Sequence, residues 1–571
     1  MKPDVRNLLV AVGATVAAYA PFFSQISVPF SRDWTYFNAL SLVVRSIVLH
    51  FRRFPLHNPW VCGGLDLLAN PQTRIFSPMM LLDLAFTPQW ANMMALVAYA
   101  VLGFVGMRKL LCHVGVSPGI ALVGATLYIN CSWFGLHFAE GHIAYGAMQL
   151  LPLMMYLGLR CGSREPRILL GLLAAVLLLD GQMYVVIFGA YLLLSCILFG
   201  LVPRAQLRAA FTQHPFELLA IVLAAGLLAV PKVLPVVSAI GDRRPSLDFY
   251  AIPRDLIAQV LFVPFHTNIE HPEGLTWNFH EFGCYLSPVA LVLVLCGGLQ
   301  PRAYWRRAWP FLLGAIFWFW VGSGWLQDFN PWWLVQKIPL LNNAHVQSRV
   351  LLLMFLFFVI LVSLALTQLR ARGTAAVVCV SLFLVVESFC VRTYPMQFTP
   401  QNDMNDVLPT RLITTRTFTT STARAWWPGH YYQGAGTATC GEPSFLPGPI
   451  AHVNSDAYRG EAYALGETRG TAEVRRYTPG RITLHYALEN PGTIELNTNA
   501  LFGWRIDPAA GVTTGRGNEL LRVEPAAREG TLRLRYWPPY MPLVFSAYAA
   551  GVILFGSLYW RARKSRVRSA A

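Results

Sequence analysis

Long apolar runs separated by short polar turns dominate the first two thirds of the chain. They fall at Leu8–Ile26, Trp90–Met107, Ile120–Gly135, Ile143–Leu159, Ile168–Leu179 and Met183–Leu201. They continue at Leu218–Val236, Tyr285–Leu299, Ala308–Val321, Val350–Leu369 and Ala375–Val391, and a last run, Met541–Tyr559, follows much later. A bilayer-spanning helix needs roughly 20 such residues, so the pattern predicts about 12 transmembrane helices. The pair flanking Asp180 has a short first half, and a shallow hairpin is its alternative. Leu8–Ile26 ends in Ala-Tyr-Ala like a signal peptide, but its apolar run exceeds a usual h-region, so it reads as an uncleaved first span.

Between residues 392 and 540 the period changes. Ile482, Leu484, Tyr486 and Leu488 alternate with other residues, as do Ile494/Leu496 and Leu532/Leu534/Tyr536, with Pro-Gly, Asn-Pro-Gly and Glu-Gly turns at their edges. Period-two alternation predicts half-buried strands, and several of them a β-sandwich-like domain. Phe37, Leu40, Val44, Ile47 and Phe51 make one apolar helical stripe. That helix either lies in the membrane interface or packs inside its loop. The expected architecture is mainly α: a polytopic membrane body over 1–391, an outer β-rich domain over 392–540, and a closing transmembrane helix with a basic tail over 541–571.

Composition sharpens this picture. Hydrophobic residues make up 55% of 571 positions and charged residues 13%, against about 25% charged in soluble chains. The net charge of +16 would suit a nucleic-acid partner, but its placement argues against one. Basic residues cluster at Lys2/Arg6, Arg108/Lys109, Arg160/Arg164/Arg167, Arg204/Arg208, Arg302/Arg306/Arg307, Arg370/Arg372 and Arg561–Arg568. These are alternate loops, as the positive-inside rule requires. Both termini are then cytoplasmic, and segments 27–89, 240–284, 322–349 and 392–540 face outward. Ten cysteines sit mostly in apolar runs. Cys62, Cys284 and Cys440 are outward, where an oxidising compartment permits a bridge, but no spacing selects a pair.

The candidate chemistry gathers in the outward segments. Asp33 leaves the bilayer directly after the first span, in Ser31-Arg32-Asp33-Trp34. A carboxylate there can take a proton from an acceptor hydroxyl, or it can cap the helix that follows. Asp66 can bind a metal or a sugar, or stabilise a turn beside Gly64 and Asn70. Glu140 and His142 are ionisable groups in a short outer turn; His137 and His142, five apart, are poorly spaced to share a metal on one helix. Lys232 lies inside an apolar run and needs a phosphate or a carboxylate partner. Arg243, Arg244, His345 and Arg349 stand at outer ends of spans, against the topological bias, and arginine forks suit phosphate. His266, His271, His280 and Glu281 crowd one loop, where a divalent ion is a candidate ligand, with Asp66 as a further donor.

Several of these residues also carry a family resemblance. Asp33 after the first span, its helix, and the run Pro55-Leu56-His57-Asn58-Pro59, Gly63-Gly64 and Asn70-Pro71-Gln72 resemble the YfhO-like membrane proteins. So do Glu140-Gly141-His142 ahead of Gln149-Leu150-Leu151-Pro152, Pro231-Lys232-Val233-Leu234-Pro235, and His345-Val346-Gln347-Ser348-Arg349. Phe502-Gly503-Trp504 and Asp507-Pro508 depart from that family's usual Pro-Gly-Trp and Asp-Gly. The family belongs with the glycosyltransferases of GT-C fold. The resemblance implies transfer of a sugar from a polyprenyl-phosphate donor to a lipid, glycan or protein acceptor, on the outer face of a bacterial cytoplasmic membrane. Asp33 would be the base. Lys232, Arg243, Arg244, His345 and Arg349 would hold the donor phosphate. Arg32, Trp34, Asn58, Asp66, Glu140 and His142 would line the sugar or acceptor pocket. No cofactor is required, although a divalent metal is admissible at Asp66, His280 and Glu281; membrane lipids are partners and nucleic acid is not. The alternative is a non-catalytic lipid-linked glycan transporter or cell-envelope assembly factor, against which stands the lack of an inverted repeat.

Overall fold

The computed structural model describes residues 3–28, 30–240, 251–273, 277–297, 302–337, 346–370, 373–399, 419–421, 435–437, 450–451, 455–506, 511–514 and 519–570. Arg243, Arg244, His345, Cys440 and Asp507 lie outside them. Every apolar run named above contains helix among its described residues. Among the described residues, seven helices are long and apolar enough to cross a membrane: Val5–Gln25, Pro88–His113, Pro118–Glu140, Pro215–Ala239, Gln347–Arg370, Thr374–Gln397 and Met541–Lys564. Ile143–Leu159, Met183–Leu198 and Pro288–Gly297 are apolar but shorter. Arg164–Leu179 and Arg302–Ser323 begin with charged turns. The helix Leu351–Arg370 is the central pillar, with every residue from Leu351 to Leu366 buried.

The helix Asp33–Leu49 is a packed element rather than one lying flat in the interface. Ala39, Leu42, Val43, Val44 and Ile47 are buried against Trp60, Leu65, Leu67 and Leu68 of the same outer loop. Its other side carries Trp34 and Phe37 into the membrane core. It therefore joins two hydrophobic clusters, and its apolar stripe is wider than an interfacial helix needs.

Besides a short parallel pair of strands, Thr419–Ser421 and Ala435–Thr437, the described part of the outer domain holds two four-stranded sheets. One runs in the order Gly511–Thr514, Leu520–Pro525, Ile494–Asn499, Ala462–Ala464; the other runs Gly470–Thr478, Arg481–Leu488, Glu529–Tyr536, Trp504–Ile506. All of these pairings are antiparallel. Alternation puts Ile482, Leu484 and Tyr486 inward opposite Leu534, Leu532 and Gly530, the period-two burial expected of a half-solvated sheet. Ile494–Asn499 breaks that rule, because all six residues are buried. Its second face is covered by the first outer loop. Asn499 donates through Nδ2 to the carbonyls of Cys62 and Gly64, at 2.5 and 2.9 Å, and the Thr498 hydroxyl donates to Gly63 O at 2.6 Å. Cys62 is disulfide-bonded, whereas Cys284 is a free thiol.

Candidate active site

The geometry around Asp33 starts with the end of the first helix. The Gln89 side chain donates to the carbonyls of Ile26 and Val28, at 3.0 and 2.8 Å, and accepts the Phe30 N–H at 3.1 Å. This clamp turns the chain back so that Asp33 opens the next helix. Arg32, its N-cap, adopts φ 59° and ψ −137°, a conformation that costs a non-glycine residue about 1–3 kcal/mol and gathers at functional sites. The N-cap position makes no side-chain capping hydrogen bond. The Asp33 carboxylate turns toward a neighbouring segment.

It points at the turn Glu140–His142. The helix Ser132–Glu140 stops at Gly141, φ 101°, in a left-handed C-terminal turn. A Cβ there would stand 2.2 Å from the Trp34 nitrogen and 2.8 Å from the Asp33 carbonyl carbon, so only glycine lets the two segments meet. Trp34 is fully buried, packed edge-on against Phe22 and Phe30, and its indole N–H donates to Phe138 O at 2.8 Å. This corrects its expected place in a sugar pocket: it is a positioning residue that fixes Asp33 against the turn.

The turn folds His142 back over its own helix. His142 Nε2 lies 3.3 Å from Asp33 Oδ2, and its Nδ1 lies 2.7 Å from His137 Nδ1. Burial, only partly countered by Glu281, pushes the His142 pKa down to about 3, so the ring is neutral near pH 7. A neutral ring holds one proton. Placing it on Nε2 lets His142 donate to the Asp33 carboxylate and accept from His137 Nδ1–H. Among the described residues the buried His137 Nε2 has no hydrogen-bond partner, which matches a lone pair there. The Asp33 side chain is 54% exposed. One oxygen of an exposed carboxylate is thus met by a largely enclosed imidazole.

Behind this pair lies a dense charged layer. Arg32 Nη1 is 3.5 Å from Glu140 Oε1, and Asn268 Nδ2 donates to Glu140 Oε2 at 2.8 Å. His280 Nδ1 donates to Asn268 O at 3.0 Å, and its ring stands between Glu140 and Glu281, 4.0 and 3.7 Å away. Burial disfavours charge on His280, but the two carboxylates outweigh it and raise the pKa. Arg349 forks onto Glu281, Nε to Oε2 at 2.7 Å and Nη2 to Oε1 at 2.5 Å, with its guanidinium 5.0 Å from the centre of the Tyr145 ring. Burial alone would raise the Glu281 carboxyl; the Arg349 guanidinium holds it well below the usual range.

Asp33, Arg32, Glu140, His142, His280, Glu281 and Arg349 therefore come together from segments far apart in the chain. Arg349 departs from its expected task, because a fork already engaged with a buried carboxylate is not available to a phosphate. The candidate metal donors differ as well. His142, His280 and Glu281 bring ligand atoms within 4.8 Å of one another, and Asp66 is not among them. The residue types suit a divalent ion, but Arg349 already supplies a positive charge to both oxygens of Glu281, and an ion would compete with it for them.

The other expected residues serve the scaffold. Asn58 Oδ1 accepts the Trp60 N–H at 3.1 Å in an Asx turn. Asp66 is buried where the loop meets the closing domain. Its Oδ1 accepts the Leu68 N–H at 2.8 Å, and its Oδ2 accepts the Tyr536 hydroxyl at 2.9 Å together with that of Tyr540. Lys232 is buried, with Nζ donating to Asn70 O at 3.0 Å, Thr73 O at 2.7 Å and Thr73 Oγ1 at 2.8 Å. Three oxygens fill its three donors, so it ties down the 70–73 turn. Of the crowded outer loop, His266 pairs with Glu270 at 2.6 Å and His271 with Asn278 at 3.2 Å. The partners that the sequence reading missed are Asn268, Tyr145 and the Gln89 clamp. Only Gly141 carried a readable signal, as a helix-stopping glycine.

No protein-family model matches the chain, and no curated protein matches it. Among solved structures, the chain is similar to the arabinofuranosyltransferase AftD from Mycobacteria, with 14% identity and a TM-score of 0.38. The similarity covers 69% of this chain and 27% of AftD, so the chain spans about a quarter of that protein's length.

Proposed function

We propose that this chain is a membrane glycosyltransferase of GT-C type, moving a sugar from a polyprenyl-phosphate donor to a surface glycan, lipid or protein acceptor on the outer face. The observation that carries the reading is the half-exposed Asp33 carboxylate at the end of the first span, set against the neutral His142 ring. Such a group suits a general base. The acceptor oxygen attacks the anomeric carbon, Asp33 takes the hydroxyl proton, and the bond to the polyprenyl phosphate breaks with its electron pair leaving on the phosphate. His142 orients the carboxylate and holds it acceptor-ready. Arg32, next to Asp33 in the chain and 41% exposed beside Glu140, is the first choice for the phosphate. Arg243, Arg244 and His345 remain candidates beside it. No nucleotide or other cofactor is needed for this step.

The deciding experiment has two arms. Mass spectrometry of surface glycans from cells with and without the gene identifies the sugar and acceptor. Purified protein in lipid nanodiscs, given the matching polyprenyl-phosphate sugar, should then release polyprenyl phosphate, and Asp33→Asn should not. Movement of intact lipid-linked sugar between leaflets, with no change of linkage and no effect of Asp33→Asn, would establish a transporter instead.

A further inference from the structure

A second cavity, of about 960 Å³, opens at the opposite end of the helices. Lys109 belongs to the helix Pro88–His113, whose other end carries the Gln89 clamp of the Asp33 site. Twenty residues of helix at 1.5 Å each put the two sites roughly 30 Å apart. The cavity lies on the face that the basic loops mark as inner.

Its lining has two halves. Leu153, Leu157, Leu169, Leu172, Leu173 and Val176 form an apolar trough from the helices Leu151–Leu159 and Arg164–Leu179. Lys109, Arg160, Ser163 and Arg164 gather at its polar end, with Glu165 as the one acid in the lining. Arg160 is held along the wall by the Tyr156 hydroxyl at 2.6 Å, with its guanidinium 5.4 Å from the ring centre. Arg164 is partly neutralised by Glu217 at 3.0 Å. Lys109 is exposed and makes no ion pair among the described residues. The helix Arg164–Leu179 starts here with no side-chain cap on its first N–H groups, a second feature favourable to an anion.

We infer that this cavity binds one anionic diacyl phospholipid, with the phosphate at Lys109, Arg160 and the start of the helix Arg164–Leu179 and an acyl chain in the leucine trough. The size fits: small-molecule sites run to roughly 1,000 Å³. The charge fits too, since two of the three cations lack a carboxylate partner and basic pockets between helices on the inner face select anionic headgroups. A zwitterionic lipid carries its own ammonium to the same place and gains less.

The test is native mass spectrometry of the purified full chain, titrated with phosphatidylglycerol and with phosphatidylcholine of the same acyl chains. The wild type should keep one phosphatidylglycerol at least tenfold more readily than phosphatidylcholine. The double variant Lys109→Gln/Arg160→Gln should lose most of that preference, each cation contributing up to about fivefold. Leu172→Trp, which fills the trough and leaves every cation in place, should also lose the bound lipid. Equal retention of the two lipids by the wild type, or unchanged retention in Leu172→Trp, would overturn the inference. Complete displacement by millimolar inorganic phosphate would do so as well, by showing that the headgroup alone accounts for binding.

Discussion

Nε2 of His142 stands 3.3 Å from Oδ2 of Asp33, although Asp33 opens one helix, His142 lies in the turn after another, and two membrane-length helices separate them in the chain. Asp33 is half exposed and the His142 side chain only 12% exposed, so the carboxylate is open at the surface while its partner is largely enclosed. In the proposed reaction, preorganisation of this kind would keep the base aimed without a cost at each turnover.

Asp33→Asn should therefore reduce sugar transfer by about 10²–10⁴-fold, the usual share of a general base, while leaving the thermal midpoint within a degree or two because the side chain is half in solvent. His142→Gln, whose amide can still donate to Asp33, should lose much less than His142→Ala. Release of polyprenyl phosphate in nanodiscs measures both. A His142→Ala enzyme as fast as wild type would separate the imidazole from the mechanism.

Gly141 makes the approach of the two segments sterically allowed. A methyl group at that position meets the Trp34 nitrogen at 2.2 Å, and the φ of 101° disfavours any L side chain. Gly141→Ala should destabilise the protein by at least about 2 kcal/mol, combining overpacking with backbone strain, and should uncouple Asp33 from His142. Scanning fluorimetry in detergent reads the first effect and the transfer assay the second.

Glu281 and Arg349 form a buried, bidentate ion pair. Removing one partner leaves a charge stranded in low dielectric, at a cost of about 3–5 kcal/mol, whereas removing both costs much less. Glu281→Gln should thus be severely destabilising, and Glu281→Gln/Arg349→Gln should recover part of the loss. A metal-dependent site predicts a different outcome: chelator would inactivate the wild type and added divalent ion would restore it. With Arg349 in the fork, activity should survive chelation.

Much of this arrangement was legible as residue types, and little of it as contacts. Asp33, Glu140 and His142 could be singled out because ionisable groups at the ends of apolar helices are rare and expensive. Their meeting could not, since it depends on Gly141 reversing the chain: five residues on one helix would keep His137 and His142 apart, and the left-handed turn brings their Nδ1 atoms to 2.7 Å. Lys232 was legible as a cation inside an apolar run and Arg349 as one at the outer end of a span, but neither as satisfied; their partners, the 70–73 carbonyls and Glu281, come from other loops. The strands around Ile482 and Leu532 could be read directly from period two. Burial of both faces of Ile494–Asn499 could not, because the covering loop lies more than four hundred residues earlier.

That covering interface supplies a pH-dependent prediction. His57 is buried in the first outer loop, accepts the Gly480 N–H on Nδ1 at 3.2 Å, and packs among Tyr477, Trp504 and Tyr536 of the closing domain. Burial pushes its pKa down to about 3. In the unfolded chain the ring takes up a proton near pH ~6.5. Between those values the unfolded state binds more protons than the folded one, so stability falls as pH drops through the window and levels off below about 3. At pH ~5 the folded ring is still neutral, and the loss depends only on the unfolded value: about 2 kcal/mol for this one group. His142 acts in the same direction, while the raised His280 acts in the opposite one, contributing stability that is lost as pH rises. His57→Gln should be less stable than wild type at neutral pH, through lost ring packing, yet it should lose about 2 kcal/mol less on acidification to pH ~5. Thermal midpoints of both proteins across that range decide the matter. Parallel curves would mean that His57 is already charged in the folded protein and that the closing domain is held to its loop by other contacts.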